Sequence, residues 1–186
     1  MKASIALFAA SVGATLTPPL EGYTVVPMTW RGVNETDGSQ VSISGTIEEM
    51  QDQVKAMGSS INWTRPSTHL STKARNKGNL ECWVGGGGAT DYWDIRTGII
   101  YLESITDHLC SASAGPGVCT RISCSWQAAI WLCNDTPSEL QHSCPDLASY
   151  ATDIAEGCQE QETKLYTQGQ EFDSDSWNVV VGIDHC

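Results

Sequence analysis

Apolar and polar positions alternate most sharply after residue 117, where two runs, 118–124 and 128–133, flank a short loop of Ser125, Trp126 and Gln127. Runs of period two joined by so few residues predict a β-hairpin, and a register centred on Trp126 sets Cys119 opposite Cys133. In that register Ile122, Cys124, Ala128, Ile130 and Leu132 share one face, apolar enough for a core. Cys119, Arg121, Ser123, Ala129, Trp131 and Cys133 share the other.

Helical periods stand on either side of the hairpin. Ile95, Ile99, Leu102, Ile105 and Leu109 form an apolar stripe, which predicts a helix opened by Thr90 or Asp91, running to about residue 109 and closed by Cys110. A second helix starts at the cap Ser143, with Cys144 and Pro145 in its first turn. Its inner face carries Leu147, Tyr150, Ala151, Ile154 and Cys158. Strand patterns occur at 80–84, weakly at 165–168 and strongly at 177–183, the last two joined by the turn residues Asp173, Ser174, Asp175 and Ser176. The four glycines Gly85, Gly86, Gly87 and Gly88 read as a flexible connector, since no Lys and Ser/Thr follow to make a phosphate loop. From residue 80 the order is β-α-β-β-α-β-β. The fold class expected is α+β, an antiparallel sheet with two helices on one face, its first six elements forming the split β-α-β pattern of a ferredoxin-like α/β sandwich.

The chain ahead of this region differs in kind. An apolar run over residues 5–12 leads to Val12, Gly13 and Ala14, so residues 1–14 are expected to be a signal peptide, too short to span a bilayer. Residues 15–78 contain no cysteine. They hold a strand at 41–44 and a capping box, Thr46 to Glu49, that opens a helix ending at Met57 and Gly58. One strand and one helix bury little unless they pack on the rest. The segment reads as a propeptide or N-terminal extension, processed near residues 72–78 where Lys73, Arg75 and Lys77 cluster, or else as an integral part of the fold. The absence of a dibasic pair weighs against cleavage. Residues 79–186 form the disulfide-rich domain.

Composition sharpens the picture. The eight cysteines are an even number, which in an exported chain implies four disulfides and no free thiol. The net charge is −12. From residue 79 onward there are sixteen acidic residues against the three cations Arg96, Arg121 and Lys164, a net of −13, whereas residues 15–78 carry six of each. Such a field repels nucleic acid, heparin-like polymers and anionic membranes. Metal and enzyme signatures are missing: there is no C-x-x-C, no H-E-x-x-H and no G-x-S-x-G, and the four histidines are scattered. Asp91 and Asp94 suit a helix N-terminus, where carboxylates favour the macrodipole. Sequons stand at Asn34, Asn62 and Asn134, the last followed by Pro137. Of the seven tryptophans, Trp83, Trp126, Trp131 and Trp177 lie on or beside strands, where they can stack on sugars or fill the core. Trp126, at the hairpin tip, is the expected contact residue, with Arg121 beside it.

The order and spacing of Cys82, Cys110, Cys119, Cys124, Cys133, Cys144, Cys158 and Cys186, the segment Ile130 to Asp135, and the closing strand Trp177-Asn178-Val179-Val180-Val181 together resemble a family. It is that of the small α/β-sandwich killer toxins of smut fungi and related cysteine-rich secreted fungal proteins. The better known toxins carry one further cysteine pair. The resemblance covers residues 80–186 and implies the bonds Cys82–Cys158, Cys110–Cys144, Cys119–Cys133 and Cys124–Cys186. It also implies a block of calcium entry through basic residues near the first hairpin strand, where this chain offers only Arg121. The expectation is a secreted, monomeric, non-enzymatic protein without cofactor or metal. It is expected to bind a cell-surface protein or glycan, as a toxin-like or effector-like protein or as a wall-associated carbohydrate-binding module.

Overall fold

The computed structural model of the chain describes residues 17–33, 38–57, 76–106 and 108–186. The expected leader, the sequon residues Asn34 and Asn62, and Lys73 and Arg75 lie outside the described residues. The cysteine-free segment contributes β1 (Thr24–Val25), β2 (Thr29–Val33), β3 (Gln40–Ser44) and α1 (Ile47–Ala56). Then follow β4 (Lys77–Cys82), β5 (Thr90–Asp91), α2 (Tyr92–Ser104), β6 (Leu109–Ala112), β7 (Val118–Ser125) and β8 (Ala128–Asn134). The chain closes with β9 (Leu140–Ser143), α3 (Cys144–Gly157), β10 (Tyr166–Thr167), β11 (Gly169–Asp173) and β12 (Trp177–Ile183).

The architecture is α+β. Six strands form the main sheet in the order β1-β7-β8-β12-β11-β4, antiparallel throughout except that β1 runs parallel to β7. β8 and β11 run the same way, joined through α3 with β12 inserted between them, which is a split β-α-β unit. One face is covered by α2 and α3. Ile95, Ile99 and Leu102 from α2 and Leu147, Tyr150, Ala151 and Ile154 from α3 meet Ile122, Ile130, Leu132, Val179 and Val181 of the sheet in one core. Burying a Leu- or Ile-sized side chain is worth about 1.5–3 kcal/mol, so these contacts carry much of the stability. All four expected disulfides are present, Cys82–Cys158, Cys110–Cys144, Cys119–Cys133 and Cys124–Cys186, and no cysteine is free.

Two elements differ from the sequence expectation. The first helix stops at Ser104, and Leu109 and Cys110 belong to β6, where Cys110 lies opposite His142 of β9. Apolar residues at 105 and 109 fit either period, and the pairing with β9 decides in favour of a strand. The weak strand at 165–168 supplies only β10, while β11 takes the place in the main sheet. β11 reads Gly-Gln-Glu-Phe-Asp and turns Glu171 toward the helices, so it lacks the apolar alternation by which a strand is recognised.

The cysteine-free segment packs on both faces of the sheet. Its capping box forms, with the Thr46 N–H donating to Glu49 Oε2 at 2.7 Å and the Glu49 N–H to Thr46 Oγ1 at 3.3 Å. α1 lies on the helix side, where Met28, Ile43, Ile47, Met50 and Val54 join the core. Residues before β1 cross the other face: Leu20 and Tyr23 pack against a second cluster of Cys119, Ala129, Trp131, Cys133 and Val180. The Tyr23 hydroxyl donates to Asp135 at 3.0 Å, and burial followed by that carboxylate pushes its pKa to about 12.

Candidate functional site

The hairpin tip is tighter than the alternating pattern implied. β7 and β8 pair Ser125 with Ala128, leaving a two-residue turn of Trp126 and Gln127 with φ of 52° and 66°. Positive φ at both central residues suits the right-handed twist of the flanking strands. The residue thereby gained is taken up by a register shift between Arg121 and Ser123, so Cys119 still faces Cys133. The shift corrects the expected faces: Cys124 pairs with Ala129 and packs against the outer cluster, while Ser123 turns to the helix side and bonds Glu48 of α1. The Cys124–Cys186 bond therefore ties the outer face to the chain end.

Strand directions gather the exposed aromatic residues. Because β4, β7 and β12 run opposite to β8 and β11, the ends of the first three and the starts of the other two share one end of the sheet. Trp126 sits there in the turn, 78% exposed, and Trp83 directly follows β4, 48% exposed. Tyr166, in the short strand before β11, is 48% exposed and lies opposite Asp91. Asp91 caps α2 by accepting from the Trp93 N–H at 2.7 Å, which sets the 67%-exposed Trp93 at the same end. Leu165 and Ile183 add apolar surface. Three exposed tryptophans and a tyrosine at one end of a sheet make that end the candidate interaction surface.

Two of these indoles are held at a cost. Trp83 has φ of 64° and Trp126 of 52°, left-handed conformations that disfavour a bulky residue by on the order of 1–2 kcal/mol. Each stands within two residues of a disulfide, Trp83 after Cys82 and Trp126 after Cys124. The two bonds anchor the backbone from which the rings project.

Beside them opens a cavity of about 240 Å³, lined by Pro18, Pro19, Gly86, Trp131, Ile183 and Asp184 among others. The glycine loop, expected to be a flexible connector, is instead wedged against β12. A Cβ on Gly86 would lie 2.7 Å from both Gly182 Cα and Val181 O, and the Gly86 N–H donates to Pro19 O at 2.7 Å. The indole N–H of Trp131 is buried with no acceptor among the described residues. A buried donor left unpaired costs about 1–3 kcal/mol.

Comparison with protein-family models, with curated proteins and with solved structures finds no match.

The other residues singled out in the sequence fall elsewhere. Arg121 is only 8% exposed: Nη1 donates to Asp184 Oδ2 and to the His185 carbonyl, each at 2.8 Å, and Glu49 lies 3.9 Å from Nη2. It braces the chain end and is not an open contact residue. Asn134 is fully buried; its amide donates to Ser113 O and Ser138 O and its Oδ1 accepts from Thr136, so the folded chain offers no place there for a glycan. Trp131 and Trp177 are core residues. Trp93 and Tyr166 were missed, although Trp93 stands off the Ile95, Ile99, Leu102 stripe and a helical wheel turns it outward.

Among the described residues no group of three or more His, Cys, Asp and Glu side chains is placed to hold a metal. The strongest titratable cluster lies under α3. Glu171 is buried beside Lys77, whose ammonium also bonds Asp153 and the Ser149 carbonyl, and Tyr150 donates to Asp173. Burial first, and the nearby Asp153 as well, raise Glu171 to about 7 against the pull of Lys77. At the aromatic end Asp94 is pushed up by desolvation and by Asp91. No described helix is long and apolar enough to cross a membrane.

Proposed function

We propose that this is a secreted, non-enzymatic protein that acts by binding the surface of another cell, in the manner of the killer toxins and effectors its cysteine pattern resembles. The observation that carries the reading is the display of Trp83, Trp93 and Trp126 at one end of a sheet locked by four disulfides. Exposed tryptophan is costly in water and strongly enriched where binding energy concentrates. Holding two indoles on left-handed backbone adds to that cost, and a backbone anchored by disulfides lowers the entropy lost on contact. The four disulfides support export, and their pairing is the one the resemblance implied. The charge of −12 supports a target that is neither nucleic acid nor an anionic membrane. Calcium-entry block through Arg121 is not part of the proposal, because that guanidinium is paired and buried.

Retention of fluorescently labelled full-length protein on intact cells and isolated walls from a panel of fungi, plants and bacteria tests this. The wild type is expected to bind at least one of them saturably, and Trp83→Ala with Trp126→Ala to bind at least tenfold more weakly with an unchanged circular dichroism spectrum. Retention on none of the panel, or equal retention of the two proteins, overturns the reading.

A further inference from the structure

We infer that the aromatic end binds a neutral glycan chain, one ring entering the cavity beside Trp131 and its neighbours crossing the exposed indoles. This rests on the binding reading above and names its ligand class. The first ground is chemical pairing. A pyranose has an apolar C–H face and a rim of hydroxyl donors. This end of the protein offers flat indole faces at Trp83, Trp93 and Trp126, with the carboxylates Asp91 and Asp94 beside Trp93. The second ground is the cavity. At about 240 Å³ it is smaller than the roughly 300–1,000 Å³ of pockets for drug-sized ligands, and it suits a single ring. Its wall includes Pro18, Pro19 and Ile183, apolar surface that suits the C–H face of such a ring.

Extent and charge narrow the class. Trp126 lies between β7 and β8, and Trp83 ends β4 at the far edge, with β12 and β11 between them. At about 4.8 Å between strands the backbone positions that carry the two indoles are roughly 17 Å apart, a span for an oligosaccharide and not for one sugar alone. The net charge of −13 over residues 79–186, sixteen acidic against three basic, repels sulfated and uronic-acid chains. The glycine loop does not invite an anion either, since the Gly86 N–H is already bonded to Pro19 and the Asp184 carboxylate lines the same cavity.

The test is titration of the full-length protein with neutral oligosaccharides, namely β-1,3-glucan, β-1,4-linked N-acetylglucosamine and mannan fragments, followed by tryptophan fluorescence. Sulfated and uronic-acid oligosaccharides serve as the contrast. Saturable binding to a neutral chain and none to the anionic ones is expected, with at least a tenfold loss in Trp126→Ala. Ile183→Trp places a larger side chain at the wall of the cavity, and about a fivefold loss is expected there with the unfolding midpoint monitored alongside. Failure to bind any neutral chain while retention on cells persists overturns this inference and leaves the binding reading standing. Loss of both overturns both, and preference for an anionic chain overturns the charge argument and with it the ligand class.

Discussion

Replacing Glu171 with glutamine should stabilise the protein above neutral pH and leave it unchanged in acid. Glu171 is 4% exposed, and burial raises its carboxyl from the ordinary 4.5 to about 7 even with Lys77 nearby. The folded state therefore holds a proton that the unfolded chain releases near 4.5. The stability associated with that proton is fully present below about 4.5, declines as pH rises, and is gone above about 7. A displacement of that size corresponds to at most about 3 kcal/mol. Glutamine mimics the protonated acid in shape and hydrogen bonding, and Lys77 keeps Asp153 as a partner. The difference in unfolding free energy between Glu171→Gln and wild type should thus be near zero at about pH 4 and rise to about 2–3 kcal/mol in favour of the variant at about pH 8. Urea unfolding at several pH values with the disulfides intact measures it, and the other carboxylates cancel in the difference. Identical pH dependence in the two proteins would refute the placement of Glu171 under α3.

Three further outcomes test the frame. In the chain-entropy account, the bond that closes a separation of 62 residues, Cys124–Cys186, contributes about 1 kcal/mol more than Cys119–Cys133, which closes 14. Cys124→Ala with Cys186→Ala should therefore melt about 2–4 °C below Cys119→Ala with Cys133→Ala by scanning calorimetry, and the reverse order would contradict the docking of the chain end. Met50→Ala in α1 should cost about 2–5 kcal/mol, because Met50 is buried in the shared core; a cost under about 0.5 kcal/mol would mean that the cysteine-free segment is not part of it. Cells or walls that retain the wild type should retain Arg121→Gln equally once its fold is verified, since Arg121 braces Asp184 and is not exposed; selective loss of binding in a folded variant would restore it as a contact.

The elements that sequence makes legible are those whose local pattern agrees with their tertiary surroundings. α3 is the clearest: Ser143 caps it, Pro145 sits in its first turn and its apolar stripe faces the sheet. The hairpin is legible in its cysteine pair and not at its tip, because alternation sets a face without fixing loop length, and a bulge near Ile122 absorbs one residue unseen. β11 is hidden because a strand that buries glutamate does not alternate, and its stability comes from partners far along the chain. The docking of residues 17–33 and 38–57 is likewise nonlocal; a capping box predicts a helix but says nothing of what its apolar face meets. For the candidate site, the exposure of Trp126 follows from its place in a tight turn. Its convergence with Trp83, Trp93 and Tyr166 follows only from strand order, which no local pattern encodes.

The most direct test of the central claim is amide hydrogen exchange of the full-length protein with and without the cell or wall material that retains it. Slower exchange on binding is expected around residues 83–93, 125–127 and 165–167, which form the aromatic end. Protection confined to the opposite end, around residues 113–117, 134–138 and 174–176, would contradict the account.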